Sequence, residues 1–152
     1  MTPYSFEGDK VSRKLAEEQL KLLVKSGFPK KAIELYVNKV NMGALQNPDV
    51  VTTYLGPCGD IIGLYLKIDK AGEIKDGKFY YLGCPCSAAS ASAIIELVKG
   101  KTIDEAKKIT ENDVLNALGG LPKTKLDCSK LAITTLQKAI VEYEKMKGCS
   151  EI

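Results

Sequence analysis

The chain has 152 residues, 45% apolar and 27% charged, with 22 Lys and Arg against 19 Asp and Glu, a net charge of +3. A chain of this length fits one domain that buries roughly 68–70% of the surface it exposes when unfolded, and its ordinary composition excludes disorder over most of it. The even charge balance gives no argument for nucleic acid or an anionic membrane, and the absence of His removes Ser-His-Asp chemistry, Cys-His chemistry and every His-ligated metal site.

Residues 1–9 carry no periodic signal and lack the basic-then-apolar order of a secretory signal. A helix is predicted over about 10–26, with Ala16, Leu20, Leu23 and Val24 on one face. Ser26-Gly27-Phe28-Pro29 is a stop and a start, and a second helix over about 30–40 places Ile33, Tyr36, Val37 and Val40 together. Asn41-Met42-Gly43 and Asn47-Pro48 read as loop. Asp49 to Leu55 is rich in β-branched and aromatic residues and reads as a strand. Ile62, Leu64, Leu66 and Ile68 alternate with other residues in a second strand, Asp69-Lys70-Ala71-Gly72 is a hairpin connection, and a third strand runs from about Glu73 to Leu82. Short links between successive strands imply an antiparallel meander, because parallel neighbours need crossovers of a dozen residues or more.

A helix follows Gly83-Cys84-Pro85-Cys86, starting in the Ser87–Ser92 run and ending at Gly100. Thr102 with Glu105, and Thr110 with Asp113, have capping-box spacing and start short helices over about 103–108 and 111–118. Gly119-Gly120-Leu121-Pro122 breaks the chain, and a last helix is predicted to start near Ser129 with Ala132, Leu136, Ala139, Ile140 and Tyr143 buried. The fold class is therefore α+β, a small three-stranded antiparallel sheet with helices packed on one face and an N-terminal helical extension. No apolar run approaches the ~18–20 residues of a membrane span. A cytoplasmic location is expected.

Chemistry is concentrated in the cysteines. Cys58, Cys84, Cys86, Cys128 and Cys149 are an odd set with no sign of secretion, which argues against a disulfide framework. Cys58, Cys84 and Cys86 are flanked by Gly or Pro, marks of element ends rather than of a periodic core. In a meander, the turn holding Cys58 and the end of the third strand at Cys84 lie at the same end of the sheet. Cys84, Cys86 and Cys128 also fall near predicted helix N-termini, where free N–H groups favour thiolate over thiol. A three-thiolate site with Asp60 as an oxygen ligand follows. Topology joins only Cys58 and Cys84, so three unrelated buried thiols would also account for the spacing.

At these residues the chain resembles the IscU/NifU-type iron–sulfur cluster assembly scaffolds. The matching segments are Gly56-Pro57-Cys58-Gly59-Asp60, Gly83-Cys84 with Ser87-Ala88-Ala89-Ser90-Ala91-Ser92, and Leu126-Asp127-Cys128-Ser129, with Asn41-Met42-Gly43 as a looser match. The resemblance covers about 31–147, leaving 1–30 as an extension that contains no Cys and is expected to stand apart from the site, and 148–152 as a tail. It implies a non-enzymatic scaffold that accepts sulfur from a cysteine desulfurase, builds a labile [2Fe–2S] cluster and passes it to apo-proteins. It also implies that Cys58, Asp60, Cys84 and Cys128 hold the cluster or metal, with Cys128 as persulfide acceptor. The family commonly has His before the third cysteine; here Asp127 stands there, so Asp127, Asp60 or the additional thiol Cys86 would complete the ligand set. The family's chaperone-binding Leu-Pro-Pro-Val-Lys element reads Leu121-Pro122-Lys123-Thr124-Lys125, which argues against a dedicated Hsp70-type partner. The competing reading is a zinc-containing sulfurtransferase using the same four residues. Such relatives usually carry an insertion before the third cysteine, and only 44 residues separate Cys84 from Cys128 here. Zinc remains an acceptable occupant of an isolated scaffold of this kind.

Overall fold

A computed structural model describes residues 17–57 and 59–150, the side chains of residues 124 and 148–150 excepted. The β-branched and alternating segments form the expected meander: β1 (Val50–Leu55), β2 (Ile61–Ile68) and β3 (Ile74–Leu82), in the order β1-β2-β3 and antiparallel throughout. Val50, Thr52 and Tyr54 share one face with Ile62, Leu64 and Leu66 and with Phe79 and Tyr81, because the register pairs Thr52 with Leu64 and Leu64 with Phe79. Ile62, Leu64, Leu66 and Phe79 on this face are fully buried, each contributing about 1.5–3 kcal/mol from its burial.

A helical segment over residues 17–25 precedes α1 (Lys30–Val37). The expected extension of α1 to residue 40 fails because Lys39 and Asn41 adopt φ of 51° and 63°, which a right-handed helix cannot continue through. The segment read as loop instead docks on the sheet edge: Asn41 O accepts from Phe79 N–H and Gly43 N–H donates to Phe79 O.

The central helix, α2 (Pro85–Val98), starts two residues earlier than the Ser run suggests. Pro85 occupies the first turn, where its missing N–H costs nothing. The run of Ala and Ser is buried on every side, which small side chains permit because they let the helix approach both the sheet and its neighbouring helices. At Gly77 of β3 the helix comes near enough that an added Cβ would stand 3.1 Å from Ile95.

Both capping boxes form, at Thr102 with Glu105 for α3 (Ile103–Ala106) and at Thr110 with Asp113 for α4 (Glu111–Leu118). The last helix differs from expectation. A 3-10 turn over Lys123–Lys125 runs directly into α5 (Leu126–Ser150), so Asp127 and Cys128 lie inside its first turn rather than before it. Ser129 has the residue type of a cap, but its buried hydroxyl donates back to Leu126 O at 2.7 Å. Helices α2 and α5 cross the inner face of the sheet, and Ala132, Leu136, Ala139 and Ile140 are buried as the periodicity requires. Among the described residues no helix is long and apolar enough to cross a membrane.

Candidate metal centre

Three chain segments converge where β2 begins and β3 ends. The turn after β1 closes with Gly56 N–H donating to Asp60 O at 2.8 Å and Gly59 N–H donating to Gly56 O, with Gly59 at φ 89°. This turn delivers the Asp60 side chain to the C-terminal end of β3, because the register pairs Ile61 with Leu82. Cys84, two residues beyond, is the N-cap of α2. The first turn of α5 brings in Cys128 from the third direction.

A carboxylate oxygen of Asp60 and the sulfurs of Cys84 and Cys128 all lie within 4.8 Å of one another. The Cys84 and Cys128 sulfurs are 3.6 Å apart, and Cys84 Sγ lies 3.4 Å from Asp60 Oδ2. Ser87, at the third position of α2, donates its hydroxyl to the same Oδ2 at 2.6 Å. The site depends on Gly83, whose φ is 149°: a side chain there would run into the Asp60 carboxylate, within 2.6 and 2.8 Å of its two oxygens.

The thiols differ in proton affinity. Cys84 is held far below the ordinary thiol range because Cys128 and then Cys86 hydrogen-bond to its sulfur, outweighing burial. The same hydrogen bond to Cys84 pushes Cys128 up to about 11. Hydrogen bonding with Cys128 and Cys84, reinforced by burial, pushes Cys86 up as well. The three thiols form a coupled set in which Cys84 has the lowest proton affinity. A cation introduced among these sulfurs and the Asp60 carboxylate displaces the remaining protons.

Of the residues singled out in the sequence, the structure brings Asp60, Cys84 and Cys128 together. Cys58 lies outside the described residues. Cys86 is fully buried behind the group, its sulfur 3.5 Å from Lys125 O. Asp127 is exposed and lines a cavity of about 360 Å³ in front of it, with Tyr54, Pro57, Asp60, Cys128 and Lys130. Within the extension, residues 1–16 lie outside the described residues, and Leu23 and Phe28 pack with Ile33 against Cys86 and Cys128, covering the back of the group without supplying a donor atom. Gln19 adds a hydrogen bond from Nε2 to the Tyr36 hydroxyl at 2.8 Å. Sequence reasoning passed over Ser87, which looked like one more small helix residue; its spacing of three from Cys84 is the signal that was available.

Residues 28–150 match the NifU-like N-terminal domain family. The chain is 43% identical over 122 residues to the iron–sulfur cluster assembly scaffold protein IscU 1 of Archaeoglobus fulgidus, covering 80% of this chain and 79% of that protein. It is 38% identical over 125 residues to the scaffold protein IscU of Azotobacter vinelandii, covering 80% of this chain and 97% of the relative. Among solved structures, the N-terminal part of a nitrogen-fixing NifU-like protein from Brucella abortus superposes with a TM-score of 0.60 over 76% of this chain and 93% of that one, at 23% identity, a likeness of fold.

Proposed function

The chain belongs to the NifU-like N-terminal domain family, and on that premise we propose that it is a non-catalytic scaffold that assembles an iron–sulfur cluster at Asp60, Cys84 and Cys128. The observation that carries this reading is the convergence of one carboxylate and two thiols, drawn from three separate elements, within 4.8 Å. Thiolates suit the iron of such clusters. Cys58, which the family resemblance makes a further thiolate, completes a set of three sulfurs and one oxygen. Oxygen is the harder donor, so the Asp60 corner is the one that opens, and a cluster that is to be released needs a corner of this kind.

The iron and sulfur are cargo. Sulfur arrives as the terminal sulfur of a persulfide on a cysteine desulfurase. A thiolate of the scaffold attacks that sulfur, the donor's S–S bond breaks, and the desulfurase cysteine leaves as thiolate. Cys128 is the acceptor in this scheme because it lines the open cavity; as it attacks, its proton passes to the Cys84 thiolate 3.6 Å away, which serves as the base. An external two-electron reductant then releases each sulfur as sulfide and restores the thiolate. Two such sulfides with two iron ions give a [2Fe–2S] cluster, which passes to an apo-protein acceptor. Zn²⁺ fits the same donors, since two or three thiolates and a carboxylate make a tetrahedral set.

The test is anaerobic reconstitution of the full chain with ferrous iron, L-cysteine, a cysteine desulfurase and dithionite, followed by visible absorption and iron and sulfide assay. About two irons and two sulfides per site, lost in Cys84→Ala and Cys128→Ala, are expected. A chain that binds only zinc, and whose thiols take up desulfurase sulfur without forming a chromophore, would favour the sulfur-carrier reading instead.

A further inference from the structure

Ser87 is fully buried, although it stands beside a site that opens to solvent. Its hydroxyl spends its proton on Asp60 Oδ2 at 2.6 Å, while the Cys84 backbone N–H reaches the same oxygen at 3.4 Å. Among the described residues, Asp60 Oδ1 accepts no hydrogen bond. The serine sits 3.8 Å from Cys84 Sγ, so it touches both members of the pair without being a ligand itself. Gly83 leaves the room in which the carboxylate takes this pose.

We propose that Ser87 is a positioning residue that sets how readily the Asp60 corner lets go of metal, an inference that rests on the scaffold reading above. A hydrogen bond to an ionised carboxylate draws charge from it. Oδ2 is also the oxygen 3.4 Å from Cys84 Sγ, so a metal held with that thiolate would meet the oxygen that Ser87 already occupies, a donor of reduced basicity. The pose is set by the fold: Ser87 is locked in the first turn of α2 by its own N–H donating to Cys84 O at 3.1 Å. Loss of the hydroxyl returns that charge to Oδ2, and the carboxylate becomes a firmer ligand.

The experiment measures Zn²⁺ release from the full chain to an excess of a coloured chelator. Ser87→Ala removes one oxygen and fits the same space, so the fold is kept, which thermal unfolding of the metal-free forms checks. Ser87→Ala is expected to slow release by about tenfold, the scale of a lost charge-assisted hydrogen bond. Ser87→Thr, which keeps the hydroxyl, is expected to release at the unmutated rate. In an Asp60→Ala background, Ser87→Ala is expected to change nothing, a dependence that a merely structural role would not produce. Equal or faster release from Ser87→Ala, or the same slowing with Asp60 absent, overturns the inference. Failure of the scaffold reading shows differently: reconstitution of the unmutated chain would give no iron–sulfur chromophore, while the dependence of Zn²⁺ release on Ser87 and Asp60 would still decide the inference.

Discussion

Cys84 and Cys86 are two residues apart and meet opposite surroundings. Cys84 is half-buried beside the Asp60 carboxylate and the Ser87 hydroxyl. Cys86 is fully buried among Leu23, Phe28 and Ile33. Cys84 is the extended N-cap residue, φ −84° and ψ 160°, while Cys86 lies within the first turn of α2, so the change of backbone at the helix start sends one thiol forward, toward Asp60, and the other back into an apolar layer. A C-x-C pair therefore does not make a pair of equivalent ligands here. The forward thiol has the low proton affinity and the polar neighbours of a metal ligand, while the rear thiol, fully buried and 3.5 Å from Lys125 O, has its proton affinity raised by the same thiol cluster.

Removal of each thiol should separate the two most sharply. Cys84→Ala is expected to drop cluster and cobalt loading to background with little change in fold. Cys86→Ala should keep loading within about twofold and lower unfolding stability by about 1 kcal/mol, the scale of a lost buried group of this size. Chemical denaturation and metal assay of both variants decide this, and equal loss of loading would break the contrast.

A smaller effect is expected at the carboxylate on the forward side. Asp60→Ala removes the charge that draws solvent and oxygen to the open corner, so its cluster, lost in air through that attack, should outlast the unmutated one by severalfold, on the order of 1 kcal/mol in barrier, and pass more slowly to an apo-ferredoxin. Decay of visible absorbance measured beside the unfolding curves would falsify the role of Asp60 if the two proteins decayed alike. A residue that only caps its turn would instead cost about 0.5–2 kcal/mol of stability and leave cluster lifetime unchanged.

Alkylation of the metal-free protein sharpens the comparison further. The proton affinity of Cys84 is lowered, chiefly by its hydrogen bond with Cys128. Its reaction with iodoacetamide should set in at a lower pH than that of an ordinary thiol of pKa ~8.5. Cys128, pushed up to about 11, should react only as the solution becomes alkaline, and Cys86 should stay unmodified until the chain unfolds. Peptide mapping by mass spectrometry reads all three.

The smallest change tests what closes the back. Leu23→Ala removes a buried side chain of the residue 17–25 helical segment, at a cost of about 2 kcal/mol, and should admit the reagent to Cys86 while leaving loading at the front intact. If Cys86 stays protected in that variant, the segment is not the seal.

Much of this architecture is written in local pattern. Period-two alternation in β2, the two Thr capping boxes and the short strand links are properties of residues within a few positions of one another, and a meander then places the turn at Asp60 beside the end of β3 without further information. The candidate ligands Cys58, Asp60 and Cys84 were visible for the same reason, as Gly- or Pro-flanked positions at element ends, whereas Cys128 carries no such flank. The arrival of Cys128 beside Cys84 was not local: it depends on where α5 crosses the sheet and on a 3-10 turn that moves the helix start back to Leu126. The same limit applies to Ser87, Leu23 and Phe28. A hydroxyl in a helix start can face a cap, a carboxylate or solvent, and an apolar residue in an amphipathic helix can cover any apolar surface. Only the packing of α2 between the sheet and its neighbouring helices chooses among these, because side-chain direction is settled by local geometry but side-chain company is settled by contacts between segments far apart in the chain.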